Sequence, residues 1–153
     1  MMKNRILLGL ILLTSGPLLA EDSAEALVNY QPELDTEVAE MIRQADPAQG
    51  QRLFLRKCSS CHDTAKGIGH GKGPNLWGLL NRPAGRAQGF AYSEALQQAN
   101  FNWTYANLNY YLTRTDRAIP GVAMNFRGIK KDSQRARLIA YLRTHHDNPP
   151  PLP

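Results

Sequence analysis

Lys57-Cys58-Ser59-Ser60-Cys61-His62 holds the only two cysteines of the 153-residue chain, with a histidine directly behind the second. Two thiols at this spacing lie about one helical turn apart, so each can form a thioether with one vinyl group of a single haem. The adjacent His62 imidazole is then held beneath the ring, where it can bind iron. Covalent attachment also retains the cofactor in a small protein that could otherwise lose it. Three other readings of the pair are weaker. A structural zinc centre wants four Cys or His ligands, and the chain has no further cysteine. A redox-active dithiol follows a strand in a βαβ unit, and no such pattern precedes Cys58. A plain disulfide would leave His62 and the long glycine-rich stretch behind it without a role.

Upstream, Asp46-Pro47-Ala48-Gln49 combines an N-cap acid, a proline at the first helical position and a glutamine at the third. That signature predicts a helix running into Cys58, with Gly50, Leu53 and Phe54 along one side. Residues 65–89 are rich in Gly, Pro and Asn and read as loop. Ser93 to about Ala99 and Thr104 to about Arg114 read as two short helices. Asp132 reads as the cap of a long final helix, whose stripe runs through Ala136, Leu138, Ile139, Ala140, Tyr141, Leu142 and Arg143. No segment alternates with period two. The expected class is all-α, with long loops that need a cofactor to pack around.

The ends differ from this body. Residues 1–20 open on Lys3 and Arg5, continue through apolar Ile6 to Leu13 and finish on Ala20 before Glu21. This is the layout of a secretory signal peptide, which implies export to a bacterial periplasm. Thr14-Ser15-Gly16-Pro17 interrupts the apolar run, leaving it short for a membrane span, so cleavage is expected over a retained anchor. Residues 21–46 form an acidic extension, with eight acids against Arg43 alone. Within it Leu34, Val38, Met41, Ile42 and Ala45 recur at helical spacing after Pro32, which suits either a short amphipathic helix or a loosely docked or disordered acidic leader. Residues 47–147 are the expected folded domain, and the Pro-rich tail 148–153 is expected to be unstructured. From Pro47 onward, 15 basic residues face five acidic ones, a contrast that bears on partners and association rates rather than fold.

A second axial ligand should lie downstream. His70 follows His62 too closely to reach the opposite face. Met124 is the only methionine beyond the motif, in Ile119-Pro120-Gly121-Val122-Ala123-Met124-Asn125-Phe126. Its soft thioether would favour ferrous iron and raise the reduction potential. His145 and His146, at the end of the final helix, are the alternatives.

From about Pro47 to Arg143 the chain resembles a class I cytochrome c, of the mitochondrial and soluble photosynthetic-bacterial type. The linked features are Gly50 and Phe54, Gly73-Pro74-Asn75-Leu76, Gly78, Arg82, Gly85, Gly89-Phe90-Ala91-Tyr92, Trp103, Pro120-Gly121 with Met124, and Leu138-Ile139-Ala140-Tyr141-Leu142. The resemblance implies one covalent haem c wrapped by short helices. It further implies that the Pro74 carbonyl takes the proton-bearing nitrogen of His62, that Arg82, Tyr92 and Trp103 serve the inner propionate, and that Tyr111 lies near the Met124 sulfur. Val122 and Leu96 depart from the family by standing where polar residues are usual.

With both axial positions taken by protein, the expected role is one-electron transfer between redox proteins, not catalysis. By resemblance, the docking face around the haem edge would include Arg52, Lys57, Lys72, Arg117, Lys130 and Lys131, interrupted by Asp116, and would suit acidic partners such as an oxidase, reductase or dehydrogenase. Nucleic acid is not an expected partner. The protein would work near the membrane surface without spanning it. Alternatives are a cytochrome subunit of a periplasmic dehydrogenase, docked through the extension, or a haem peroxidase or sensor.

Overall fold

The computed structural model describes residues 25–153, and the expected signal segment 1–20 lies outside the described residues. Six helices follow in order: α1 (Thr36–Gln44), α2 (Pro47–Lys57), α3 (Glu94–Gln97), α4 (Tyr105–Thr113), α5 (Thr115–Ala118) and α6 (Asp132–Thr144). Among the described residues the only strand-like pairing is an isolated bridge between Pro83 and Asn102. None of the described helices is long and apolar enough to cross a membrane.

The centre of the fold is the crossing of α2 and α6. The Asp46 carboxylate accepts from Ala48 N and Pro47 occupies the first turn, so α2 starts where the sequence places it. Gly50 then lets the two backbones touch, since a Cβ there would stand 2.0 Å from Arg137 O. One turn on, the Phe54 and Tyr141 rings meet at 5.5 Å. Leu138, Ile139, Tyr141 and Leu142 of α6 are buried, joined by Leu108, Tyr111 and Leu112 of α4.

Four expectations need correction. The N-cap of α6 is Lys131, and Asp132 sits inside the first turn with its carboxylate on Arg135. Arg135 draws it there, because this buried guanidinium is held by Ile129 O, Lys130 O and Asn109 Oδ1 and needs a counter-charge. The tail is irregular but tied down: Pro150 O accepts from Arg143 Nε at 2.8 Å and from Tyr105 Oη, and Pro153 O accepts from Arg43. Arg143 therefore reaches the tail and is not part of the apolar stripe. The helix begun by Ser93 is a single turn, Glu94–Gln97.

Of the two readings of the extension, the docked helix is the one observed. The Asp35 carboxylate caps α1 through Glu37 N and Val38 N, and Val38 and Ile42 are buried where α1 packs on α6. Ahead of α1, Leu27 is 3% exposed and donates its backbone N–H to Ala118 O at 2.8 Å.

Candidate functional site

Between Cys58 and Ser93 the backbone is irregular and stands off the helices, leaving a cavity of about 480 Å³. Cys58, Cys61, His62, Pro74, Arg82, Tyr92, Trp103, Tyr111 and Met124, the full set of sequence candidates, all line it. The remaining wall is largely apolar, with Phe54, Leu79, Leu108, Leu112, Leu138 and Leu142. Leu96 and Val122 add to that wall, so both departures from the family pattern make it drier.

His62 is oriented before any ligand arrives. Its Nδ1 lies 2.7 Å from Pro74 O, and since a carbonyl only accepts, Nδ1 carries the proton and Nε2 keeps its lone pair. Burial pushes the imidazole pKa down, partly offset by the Pro74 bond, so the neutral, ligating form is favoured. Gly73 presses on this ring, since a Cβ there would be 2.4 Å from His62 Cε1. Burial also pushes the Cys58 thiol up to about 11, far from the acidic thiol of a dithiol oxidoreductase.

Met124 arrives on a loop from α5. Tyr111 Oη donates to its sulfur at 3.3 Å, and burial raises the Tyr111 pKa, keeping the hydroxyl protonated as a donor. Tyr111 is itself packed on Trp103, ring centroids 5.0 Å apart. The alternative ligands are engaged away from the cavity. His145 Nδ1 donates to Tyr141 O, and His146 Nε2 donates to Leu80 O while its Nδ1 accepts from Asn148 N. His70 accepts from Asn75 N and donates to Gln88 O, bridging two loops.

Two polar atoms in this wall lack partners. Arg82 donates through Nη1 to Trp77 O and through Nη2 to Asn75 O, but its buried Nε has none. Ser93 Oγ is likewise buried and unsatisfied. Each such atom costs about 1–3 kcal/mol if left so. An anionic carboxylate entering the cavity would satisfy both, and burial without a counter-anion already lowers the Arg82 pKa. Tyr92 Oη, by contrast, accepts a long contact from Ala87 N at 3.4 Å. In the sequence Ser93 marks only the start of a short helix, and its side chain makes no cap bond here.

A neutral imidazole and a thioether, two thiols, and orphaned donors in an apolar wall together fit a haem with its propionates. Among the described residues no three His, Cys, Asp or Glu side chains gather to hold a metal ion directly. Lys57 and Lys72 stand at the cavity mouth, and Arg52, Arg117, Lys130 and Lys131 are exposed. Asp116 pairs with Arg114 at 2.8 Å, which holds its carboxyl down at about 2. Its charge is thus matched by Arg114 and leaves Arg117 uncancelled.

A family model described as Cytochrome c matches residues 47–146. The chain is similar to cytochrome c of Chlamydomonas reinhardtii, 47% identical over 98 residues that cover 64% of this chain and 88% of that protein. Cytochrome c of Ginkgo biloba is 43% identical over 98 residues, covering 64% and 87%. Cytochrome c2 of Rhodoblastus acidophilus is 41% identical over 97 residues, covering 63% and 90%.

Proposed function

The chain belongs to the cytochrome c family, and from that premise we propose that it is an exported electron shuttle whose haem is held by Cys58 and Cys61 and whose iron is bound by His62 and Met124. The class I cytochrome c fold, the single covalent haem c and the role of monohaem electron carrier rather than enzyme follow from family membership. The bound haem supplies a one-electron Fe(III)/Fe(II) couple.

The observation that supports the residue assignment most is the convergence of four atoms' owners on one cavity, with the His62 proton already placed on Nδ1 by Pro74 O. Cys58 and Cys61 fix the ring in the cavity. With His62 and Met124 as its two protein ligands, the haem iron would have no open site for substrate or dioxygen. Arg82 Nε and Ser93 Oγ, together with Trp103 and Tyr92, would hold the propionates. Tyr111 Oη holds the Met124 sulfur in place.

In this reading residues 1–20 direct export to the periplasm and are removed, residues 47–147 form the electron-transfer domain, and the exposed basic residues around Lys57 and Lys72 steer acidic redox partners. The extension is docked on its own domain, with Leu27, Val38 and Ile42 buried, while Val28, Tyr30 and Met41 stay exposed on it.

The test is an optical spectrum and redox titration of the periplasmic protein and of Met124→Ala. A low-spin spectrum with a Met–iron charge-transfer band, lost together with a fall in potential in the variant, is the expected result. An unchanged potential would remove Met124 from the iron.

A further inference from the structure

We propose that residues 25–30 are a strap that keeps Met124 on the iron, with Leu27 as its positioning residue. The proposal rests on Met124 being an axial ligand. The Met124 loop springs from α5, a single turn whose last carbonyls have no partners within the helix. Leu27 N–H supplies one of those partners, donating to Ala118 O at 2.8 Å, one residue before the loop begins at Ile119. The Leu27 side chain is 3% exposed and belongs to the main core. The strap is pinned on both sides of this point. Tyr110 Oη donates to Glu25 O at 2.7 Å, and the Tyr30 and Tyr110 rings meet at 5.2 Å. Ala26 and Val28 share a small surface cavity with Ala118, Ile119 and Pro120.

Inside residues 119–126 the loop has few bonds of its own, Val122 N to Ile119 O and Phe126 N to Met124 O. Its far end is fixed by Thr115 Oγ1 donating to Phe126 O, so both ends hang on α5. Holding α5 therefore holds the loop, and releasing the strap lets Met124 leave iron more often. These residues lie outside the segment that the family model matches.

Imidazole binding to the ferric holoprotein reads this directly, because an external ligand enters only when Met124 leaves, and its apparent affinity scales with the open fraction. Leu27→Asp and a deletion of residues 25–30 should each bind imidazole about tenfold more tightly, as expected for exposing one buried leucine. Tyr110→Phe, a milder change that still folds, should move in the same direction by a few-fold. Ile42→Ala releases α1 from α6 without touching the strap. It should lower the unfolding midpoint and leave imidazole affinity within about twofold. In a Met124→Ala background, Leu27→Asp should add nothing. Unchanged affinity in both strap variants, or an equal gain in Ile42→Ala, would overturn the strap. Unaltered imidazole affinity in Met124→Ala alone would instead overturn the ligand assignment.

Discussion

The two walls that face the haem cavity are built in different ways. The His62 wall is a knot of local bonds. Cys61 N and His62 N donate to Cys58 O, Gly73 N donates to Cys61 O at 2.8 Å, and Leu76 N donates to Asp63 O. Asn75 closes the same segment with its side-chain amide on Ala65 O and Ile68 O. The Met124 wall borrows its support from distant elements: Tyr111 on α4, Thr115 on α5 and, through Ala118, Leu27 of the extension. A locally bonded wall opens only with the fold, whereas a loop with few internal bonds can open by itself at lower free energy. On the proposed assignment, the more firmly held ligand, His62, lies beside the covalent attachment, and the more loosely held one, Met124, depends on a removable support.

Breaking the His62 wall should have the largest effect. Cys58→Ala with Cys61→Ala should abolish covalent haem, seen as loss of haem stain on a denaturing gel; retained stain would refute the attachment site. Next in size is Gly73→Ala. The new methyl would lie 2.4 Å from His62 Cε1 and 2.7 Å from Nδ1, in a ring fixed by Pro74 O. Overpacking of this kind costs about 1–3 kcal/mol, and here it also turns the imidazole away from its ligating direction. Reduced yield of low-spin holoprotein and a lower denaturation midpoint are expected, while wild-type values for both would mean the wall is softer than its hydrogen bonds imply.

Met124→Ala tests the other wall and should be gentler on the fold. Covalent haem survives, external imidazole binds readily, and the potential falls by on the order of 0.1–0.2 V within the ~0.8 V span that axial ligands cover. The denaturation midpoint should drop less than for Gly73→Ala. A larger drop would reverse the ranking of the walls.

The same asymmetry governs how much of the molecule was legible in the sequence. The His62 wall could be read because its partners are close in sequence: Cys58, Cys61, His62 and Pro74 span a short segment. The all-α class and the start of α2 were equally local, carried by Asp46 and Pro47. Met124 came from elimination, as the only methionine downstream, and its support by Tyr111 came from family resemblance. What stayed hidden was non-local. No local signal joins Leu27 to Ala118 or Arg43 to Pro153, since each pairing depends on where the chain returns in space. Asp132 misled because a buried arginine three residues on took the carboxylate that would have capped α6. Ser93 stood in the sequence only as the start of a short helix, and no local signal showed that its hydroxyl is unpaired in the cavity wall.

The smallest effect expected is also the one that isolates a single bond of the Met124 wall. Tyr111→Phe keeps the ring against Trp103 and removes only the hydroxyl that donates to the Met124 sulfur. At neutral pH the variant should lose about 0.5–1.5 kcal/mol of stability, with a few-fold gain in imidazole affinity because the sulfur is held less firmly. Alkaline pH should then narrow the difference. Burial raises the folded-state pKa of Tyr111 above its unfolded value near 10. Its contribution is therefore complete below that value and is lost as pH climbs through it, because the unfolded chain ionises first and is stabilised. The phenylalanine variant has no such group, so the wild-type advantage measured by denaturant unfolding should shrink above about pH 10. An advantage that stays constant across this range would show that the Tyr111 hydroxyl is not buried against the sulfur, and would leave the Met124 loop held by its α5 anchors alone.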